Sequence, residues 1–596
     1  MVSYHHSNHK IIILEATLLK NKTTYFVCLM LLILIKTSAQ EKYNLMVVNT
    51  DSASVFKKIT YKKQFNNKDL IYKELNKIYV SLIEEGFIAA SIDSIKNDSL
   101  NFKSYISAGK KYKWVKLTHE KKDQAIISKL GYGERFFSNR PFNFSELSKF
   151  MEKIITYYEN NGYPFALAKL DSLQFNNSAI QAKLIIERNV FVKLDSLVTE
   201  GTGKVSQKFL LRYLGIKNGM PYNLQTFSSV SKKIRQLPFV TEKKSPIMQL
   251  TDKQNKLYLF LEKKNASQFD GIVGILPNDK GKTVFTGDLK IKLVSTIFKS
   301  GETFDINWRR LQTQTQDLKV SIIYPYIAGL PIGVDYNIKI YKKDTTFLDV
   351  NNALGLNYYF SGLNFLKVFY KQRNANLIST SGLSTITVLP EYADVNTKAY
   401  GLGLFFENFD YRFNPKKGVG INLQGSVGSR EIKKNPKVND LAYSNISLKT
   451  SQYQIEGSLV GFINVFRNHV VKLSSQFGSV FGNTIYKNEL FRIGGLRTLR
   501  GFDEESIYAS TYVIPTIEYR FLFEKNSNLF LFGEGAWYEN NNVSSYTNDI
   551  PISFGAGINF ETKAGIFNLS YAIGKQQGNG FDLRIGKIHA GLTAMF

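Results

Sequence analysis

The sequence predicts two architectures in one chain: a run of small α+β modules, then an all-β transmembrane barrel of about 16 antiparallel strands. Three observations predict it. A motif joining a helix end to a strand recurs in the first half, and after Asn265 the hydrophobic period becomes two and stays so to the C-terminus. The strands of that second half have one apolar and one charged face, with no second apolar layer to bury the first. A soluble sandwich would pair its apolar faces, whereas a barrel in lipid turns them outward and leaves the polar set to a wet lumen. Closure also pairs every backbone N–H and C=O, which lipid cannot do.

Composition agrees. The 596 residues are too many for one compact domain. A mean hydropathy of −0.18 and a single long apolar run argue against a helical membrane protein. Aromatics reach 14%, with 34 Tyr, 44 Phe and 42 Gly, the enrichment expected of barrel strands and their interfacial girdles. The formal net charge of +28 would suit a nucleic-acid binder. The lysines, however, are scattered as pairs such as Lys57-Lys58, Lys121-Lys122, Lys232-Lys233 and Lys416-Lys417, which reads first as a solvated basic surface and, as the alternative, as one that attracts anionic lipid or an acidic client. An export signal sets nucleic acid aside.

That signal occupies 1–39. Lys20 and Lys22 precede the apolar run Tyr25–Ile35, and Thr37-Ser38-Ala39 supplies small residues for cleavage after Ala39. The run is too short to span as a helix. Residues 1–19 lengthen the basic region, so the translation start is expected downstream of Met1. Cys28, the only cysteine, lies in the apolar run without the small residues that lipoprotein processing needs. The mature chain is therefore expected to begin at Gln40 without thiol, disulfide or lipid anchor.

Three repeats follow, at 42–111, 112–189 and 190–266. The clearest mark is Glu84-Glu85-Gly86-Phe87 in the first and Asn160-Asn161-Gly162-Tyr163 in the second: glycine placed to end a helix, an aromatic placed to open a strand, and an alanine four residues after the glycine. Each copy reads strand, two helices, two strands. In the second these are Tyr112–Leu117, Asp123–Leu130, Phe144–Asn160, Phe165–Phe175 and Ala179–Arg188. The third has helices near Lys204–Leu214 and Leu224–Leu237 and a strand Lys256–Glu262, but Leu237-Pro238-Phe239 replaces the glycine junction.

In the barrel, 267–596, Phe304, Ile306 and Trp308 alternate with Asp305, Asn307 and Arg309, and Val334, Tyr336, Ile338 and Ile340 with Asp335, Asn337 and Lys339. The last strand sets Ile588, Ala590, Leu592, Ala594 and Phe596 against Lys587, His589, Gly591, Thr593 and Met595. Between two strand-like runs lies Phe491–Phe502, with Arg492, Arg497 and Arg500 and with Gly494, Gly495 and Gly501, a backbone able to fold back into a cavity. An arginine held in a lumen needs a carboxylate. Glu518 and Glu534, on the two strands after the loop, are the candidates. An inward Glu534 would also turn Phe530 and Phe532 inward.

Arg500-Gly501-Phe502, with Arg492 and the Gly494-Gly495 pair upstream, resembles the sixth extracellular loop of the BamA/TamA superfamily of outer-membrane assembly barrels, whose tip packs inside the barrel. The repeats are similar to the POTRA modules that precede such barrels, and three of them look more like TamA than BamA, which usually carries five. Asp410-Tyr411-Arg412-Phe413-Asn414-Pro415-Lys416-Lys417-Gly418 resembles a recurrent family hairpin. His589, Gly591, Ala594 and Phe596 fit the C-terminal assembly signal of outer-membrane barrels. The resemblance assigns Glu518 and Glu534 to hold Arg500, although relatives commonly have Asp at the second position.

What the resemblance implies is a non-enzymatic role in inserting or translocating proteins at the outer membrane of a Gram-negative bacterium, with the modules in the periplasm. Its partners would be the lipid bilayer and nascent outer-membrane or secreted protein clients, and there is room for a periplasmic or inner-membrane-anchored partner at the modules. Three readings compete: a two-partner secretion transporter for one passenger, a passive channel, and a lipid-handling barrel, which sequence does not separate from a protein insertase. No enzyme signature is found. Gly281-Lys282-Thr283 lacks the earlier glycine of a phosphate-binding loop, His119-Glu120 has no second histidine, there is no Gly-x-Ser-x-Gly, and six histidines leave little for a metal site. No cofactor is expected.

Overall fold

The computed structural model describes residues 42–51, 56, 59–133, 138–251, 253–277, 283–312, 314–412, 414–562, 565–578, 580–581 and 583–595. The expected signal peptide, Phe413 and Phe596 therefore lie outside the described residues. The chain divides into two compact units, Met1–Val190 and Phe191–Phe596.

The first unit holds two modules. In one, β1 (Tyr43–Asn49), β2 (Gln64–Phe65), β3 (Ser91–Asp98) and β4 (Asn101–Ser107) make a sheet of order β2-β1-β4-β3, with α1 (Lys68–Glu84) against it. In the other, β5 (Lys113–His119), α2 (Gln124–Lys129), α3 (Phe144–Glu159), β6 (Leu167–Asn176) and β7 (Ala179–Glu187) give the order β5-β7-β6. The second unit opens with a third copy: β8 (Ser196–Glu200), α4 (Gln207–Leu214), α5 (Leu224–Gln236), β9 (Val240–Gln249) and β10 (Lys256–Lys263), in the order β8-β10-β9. In each copy the last strand runs parallel to the first and separates it from the middle one, and the helix that precedes the middle strand buries one apolar stripe, as with Leu147, Phe150, Ile154 and Tyr158 of α3.

The copies share local chemistry. Asn67, Asn143 and Asn223 cap the main helix, each side-chain oxygen accepting a first-turn N–H at 2.9, 3.0 and 2.8 Å. Lys113 pairs with Pro141 and Lys193 with Pro221 at the same place in successive copies. Gly86 and Gly162 hold φ of +97° and +98°, as a helix exit requires. One expectation is corrected. Phe87 and Tyr163 do not open strands: each starts a turn closed by Ala90 N–H to Phe87 O at 3.0 Å or Ala166 N–H to Tyr163 O at 3.2 Å, and the strands begin at Ser91 and Leu167. The ring seals the module core, so the chain must turn before it can extend.

The barrel begins with β11 (Gln268–Pro277), β12 (Thr283–Val294), β13 (Thr303–Gln312), β14 (Thr315–Tyr324), β15 (Ile332–Lys343) and β16 (Phe347–Ser361). It continues with β17 (Asn364–Leu377), β18 (Val395–Phe409), β19 (Gly418–Ile432), β20 (Lys449–Phe466) and β21 (His469–Phe481). A hairpin of β22 (Phe491–Ile493) and β23 (Ile507–Ala509) interrupts the wall, which resumes with β24 (Thr511–Leu522) and β25 (Asn528–Gly535). The last elements are β26 (Trp537–Asn542), β27 (Ser545–Asp549), β28 (Ile552–Thr562), β29 (Gly565–Lys575) and β30 (Lys587–Met595). Both β25 and β26 pair with β24, so they form one strand broken at Ala536; β27 and β28 likewise form one strand broken before Ile552. Counted so, the closed barrel has 16 strands. Leu354, Leu356, Leu366, Val368, Tyr400 and Leu402 stand exposed on the outer face, the apolar belt that lipid requires.

The third module is fixed to the barrel rim by an aromatic series. Phe209 of α4 meets Tyr326 edge-on at 5.6 Å, Tyr326 stacks on Tyr359 at 4.8 Å, Tyr359 touches Phe365 at 5.3 Å, and Phe365 stacks on Phe405 at 5.2 Å. Tyr326 O–H donates to the Gly362 carbonyl, and Lys232 Nζ donates to Asn408 Oδ1 at 3.0 Å. Val294, Tyr326 and Tyr359 belong to the module's own apolar core.

The capped helices make a first prediction. Asn143→Ala should cost about 1 kcal/mol, seen in the full-length protein as roughly fivefold faster hydrogen exchange of the α3 amides. Unchanged exchange would show that the cap adds nothing.

Candidate functional site: the loop inside the barrel

Counting connections at the end opposite the third module, the segment between β21 and β24, residues 482–510, is the sixth. Ion pairs tie it to strands around the wall. At its base Glu489 accepts from Arg430 Nε at 2.8 Å and Nη2 at 2.7 Å, and from Gln452 Nε2 at 2.9 Å. Both ionised side chains are only 1% exposed. Arg373 clasps Asp349 at 3.0 and 2.8 Å and donates to the Asn488 carbonyl. Bidentate geometry of this kind offsets the desolvation of a buried pair.

Farther along, Glu505 accepts from Arg309 at 2.7 Å and meets Arg492 at 3.3 Å, while Arg309 also donates to Asp317 at 2.7 Å. The Arg492 guanidinium lies 3.4 Å from the Tyr341 ring centre.

At the tip, Glu534 takes three contacts from one residue: the Arg500 backbone N–H at 2.7 Å, Nε at 2.7 Å and Nη2 at 2.5 Å. Arg500 Nη1 donates to Glu518 Oε2 at 3.2 Å, and Glu518 Oε1 accepts from Arg520 at 2.6 Å. The structure thus brings Arg500, Glu518 and Glu534 together, with the two carboxylates on neighbouring strands β24 and β25.

The glycines have steric reasons. Gly501 has φ +87°, and a Cβ there would lie 2.9 Å from the Ile573 backbone. Gly494, at φ +114°, would place a Cβ 2.4 Å from Asp503 O, and Gly495, at φ +88°, would meet the Glu504 carboxylate. Phe502 is buried over Gly574, where an added Cβ would come within 2.7 Å of its ring. The loop core also includes Ile493, Leu499, Ile507 and Ala536, so the break in the β25/β26 strand lies where the loop packs.

Residues 296–589 match the Omp85 superfamily domain. The barrel therefore carries an Omp85 superfamily domain. CdiB from Escherichia coli is similar in structure, at 11% identity over 88% of this chain and 98% of that one, with a TM-score of 0.53. CdiB from Acinetobacter baumannii is similar at 13% identity over 89% and 98% (TM-score 0.48). BamA from Haemophilus ducreyi lacking POTRA domains 1–3 is similar at 15% identity over 82% and 100% (TM-score 0.42). No curated protein matches the chain.

Within this Omp85-type barrel, Phe530 and Phe532 turn inward as an inward Glu534 requires, but the contacts they make there were not singled out from sequence. Phe532 lies 3.4 Å from the Arg500 guanidinium and is accommodated by Gly555, where a Cβ would sit 2.7 Å from its ring. Phe530 is likewise accommodated by Gly557. A Phe-x-Phe-x-Glu strand facing a Gly-x-Gly strand was the available signal. The pairs Arg430–Glu489 and Arg309–Glu505 join residues far apart in sequence, and no spacing rule finds them. Of the proposed C-terminal signal, His589 is half-buried, Gly591 pairs with Asn568, and Ala594 pairs with Phe269. Among the described residues no cluster of His, Cys, Asp and Glu has metal-binding geometry.

Because Glu534 receives three contacts from Arg500 and Glu518 one, double-mutant cycles should be unequal. Coupling of Arg500→Ala with Glu534→Gln is expected at about 1–3 kcal/mol, and with Glu518→Gln at about half that. The readout is the midpoint of heat modification of the barrel. Arg500→Lys should rescue poorly, since an ammonium cannot reproduce the fork. Zero coupling at both positions would show that the tip is held by contacts other than these ion pairs.

Proposed function

We propose that this protein inserts or translocates other proteins at the outer membrane, that the seam between its first and last strands is where a client strand is templated, and that its three modules lie in the periplasm. The supporting observation is the seam. Gln268 pairs with Met595 and Phe269 with Ala594, and no other register pair joins β11 to β30 among the described residues. By contrast β11 shares ten pairs with β12, and β18 shares fifteen with β19. Unpaired N–H and C=O groups along these two strands can accept a strand with little demand on its sequence.

The modules offer the same chemistry. Among the described residues β6 pairs only with β7, which leaves its outer edge open, with Phe165, Leu167, Leu173 and Phe175 exposed along and beside it. The family assignment supports the reading, and Arg492, Gly494, Gly495, Arg500, Gly501 and Phe502, held by Glu518 and Glu534, serve in it as the fixed strut of the lumen. Transport of one passenger through the lumen, or passive conduction, is less favoured. The loop and its ion pairs cross that space, and residues of 378–394 and 433–448 bury a separate apolar core with Tyr486 above it.

The chain's one native cysteine is Cys28, so paired cysteines are clean probes. Phe269→Cys with Ala594→Cys places thiols on directly opposed residues. Oxidation should abolish client insertion or export in cells lacking the wild-type protein, and reduction should restore it. Full activity with the seam cross-linked would sink the proposal.

A further inference from the structure

The barrel interior contains two cavities that share lining residues, one lined mostly by basic and polar side chains and the other with an added aromatic wall. One, of about 350 Å³, is lined by Lys290, Lys319, Lys339, Lys371 and Arg497, with Asp305 as its carboxylate. Arg497 lies 3.7 Å from Asp288, and Lys339 lies 3.8 Å from Asp317, a carboxylate already engaged by Arg309 at 2.7 Å. Among the described residues, no carboxylate lies within 4.0 Å of Lys290, Lys319 or Lys371, and Lys371 donates instead to Gln454 Oε1 at 3.0 Å. The other cavity, of about 560 Å³, opens beside the third module, with Phe239, Tyr359, Leu363, Phe365 and Phe405 in its walls. Asn337, Ala353 and Lys371 line both.

We propose that these joined cavities bind a phosphate-bearing amphiphile with a single apolar chain, the phosphate among the lysines and the chain against the aromatic wall. Three ammonium groups facing one space with no carboxylate within 4.0 Å repel one another, Asp305 alone among the lining residues offsetting them, and an anion there removes the repulsion. Ammonium groups bind phosphate as point charges, with no demand for fork geometry. A phosphate monoester supplies up to two charges at one point, whereas a single client carboxylate supplies one. The shared lining at Lys371 means that an anion seated in the first cavity directs its attached chain into the second. The second cavity sets that aromatic wall beside polar groups, Asp335, Lys367, Arg412 and Glu456 among them, and its size is that of a small-molecule pocket.

The experiment uses the full-length protein, stripped of lipid and held in amphipol, titrated calorimetrically with four probes. These are a 1-acylglycerol 3-phosphate, inorganic phosphate, a monoacylglycerol, and a peptide alternating Glu with Phe. The acylglycerol phosphate should saturate one site at least tenfold more tightly than any other probe. Lys319→Gln with Lys371→Gln should weaken it about tenfold or more, while Lys417→Gln, at an exposed position before β19, should leave it unchanged. If the double variant does not yield heat-modifiable barrel, Lys290→Gln takes its place. Equal affinity for inorganic phosphate would remove the apolar half of the proposal, equal affinity for monoacylglycerol the anionic half. Tighter binding of the peptide, indifference of the lysine variants, or no saturable binding by any probe would overturn it.

Discussion

In hydrocarbon every N–H and C=O must find its partner within the wall, and this constraint shapes the barrel everywhere except at its ends. Fifteen register pairs between β18 and β19 leave nothing to lipid. At the junction of β11 and β30 two pairs remain, so the wall is closed in topology yet weakly closed in energy. Adjacent strands share the same space without sharing the bonds that would hold them there.

Ionic contacts offset part of that deficit. The lumenal loop meets both sides of the junction: Arg497 lies 3.7 Å from Asp288 on β12, and Asp503 lies 2.7 Å from Lys587 on β30. These groups are partly exposed, so each contact is worth a fraction of the buried Arg430–Glu489 pair. The loop is therefore anchored firmly at its base and tip, and lightly where the wall is weakest. Strong attachment there would close the junction permanently, and none would leave the end strands to fray.

The barrel was legible in sequence because a period of two with one apolar face suits few folds besides a closed sheet in lipid. The module elements were legible because glycine exits and amphipathic spacing are local signals, although the turn after Phe87 and Tyr163 was not, since a buried ring looks alike at a turn or a strand start. An aromatic followed by asparagine at the cap, Phe142-Asn143 and Tyr222-Asn223, was visible in the sequence and marks the repeat as well as the glycine does. Arg500 and its two glutamates could be grouped because they lie on consecutive elements. Glu489 and Arg430, or Glu505 and Arg309, could not: their encounter depends on how far the loop reaches across the lumen, which is a property of the closed barrel.

The aromatic series from Phe209 to Phe405 has a mechanical consequence. A stack of rings packed edge and face resists shear, so the third module and the strands β16 to β18 turn as one body. A torque on that module is delivered to the wall as hoop tension. Tension in a ring is the same at every junction and is relieved where the fewest bonds must break. A pull applied among the rings of one side would open the two-pair junction and leave the stack itself intact.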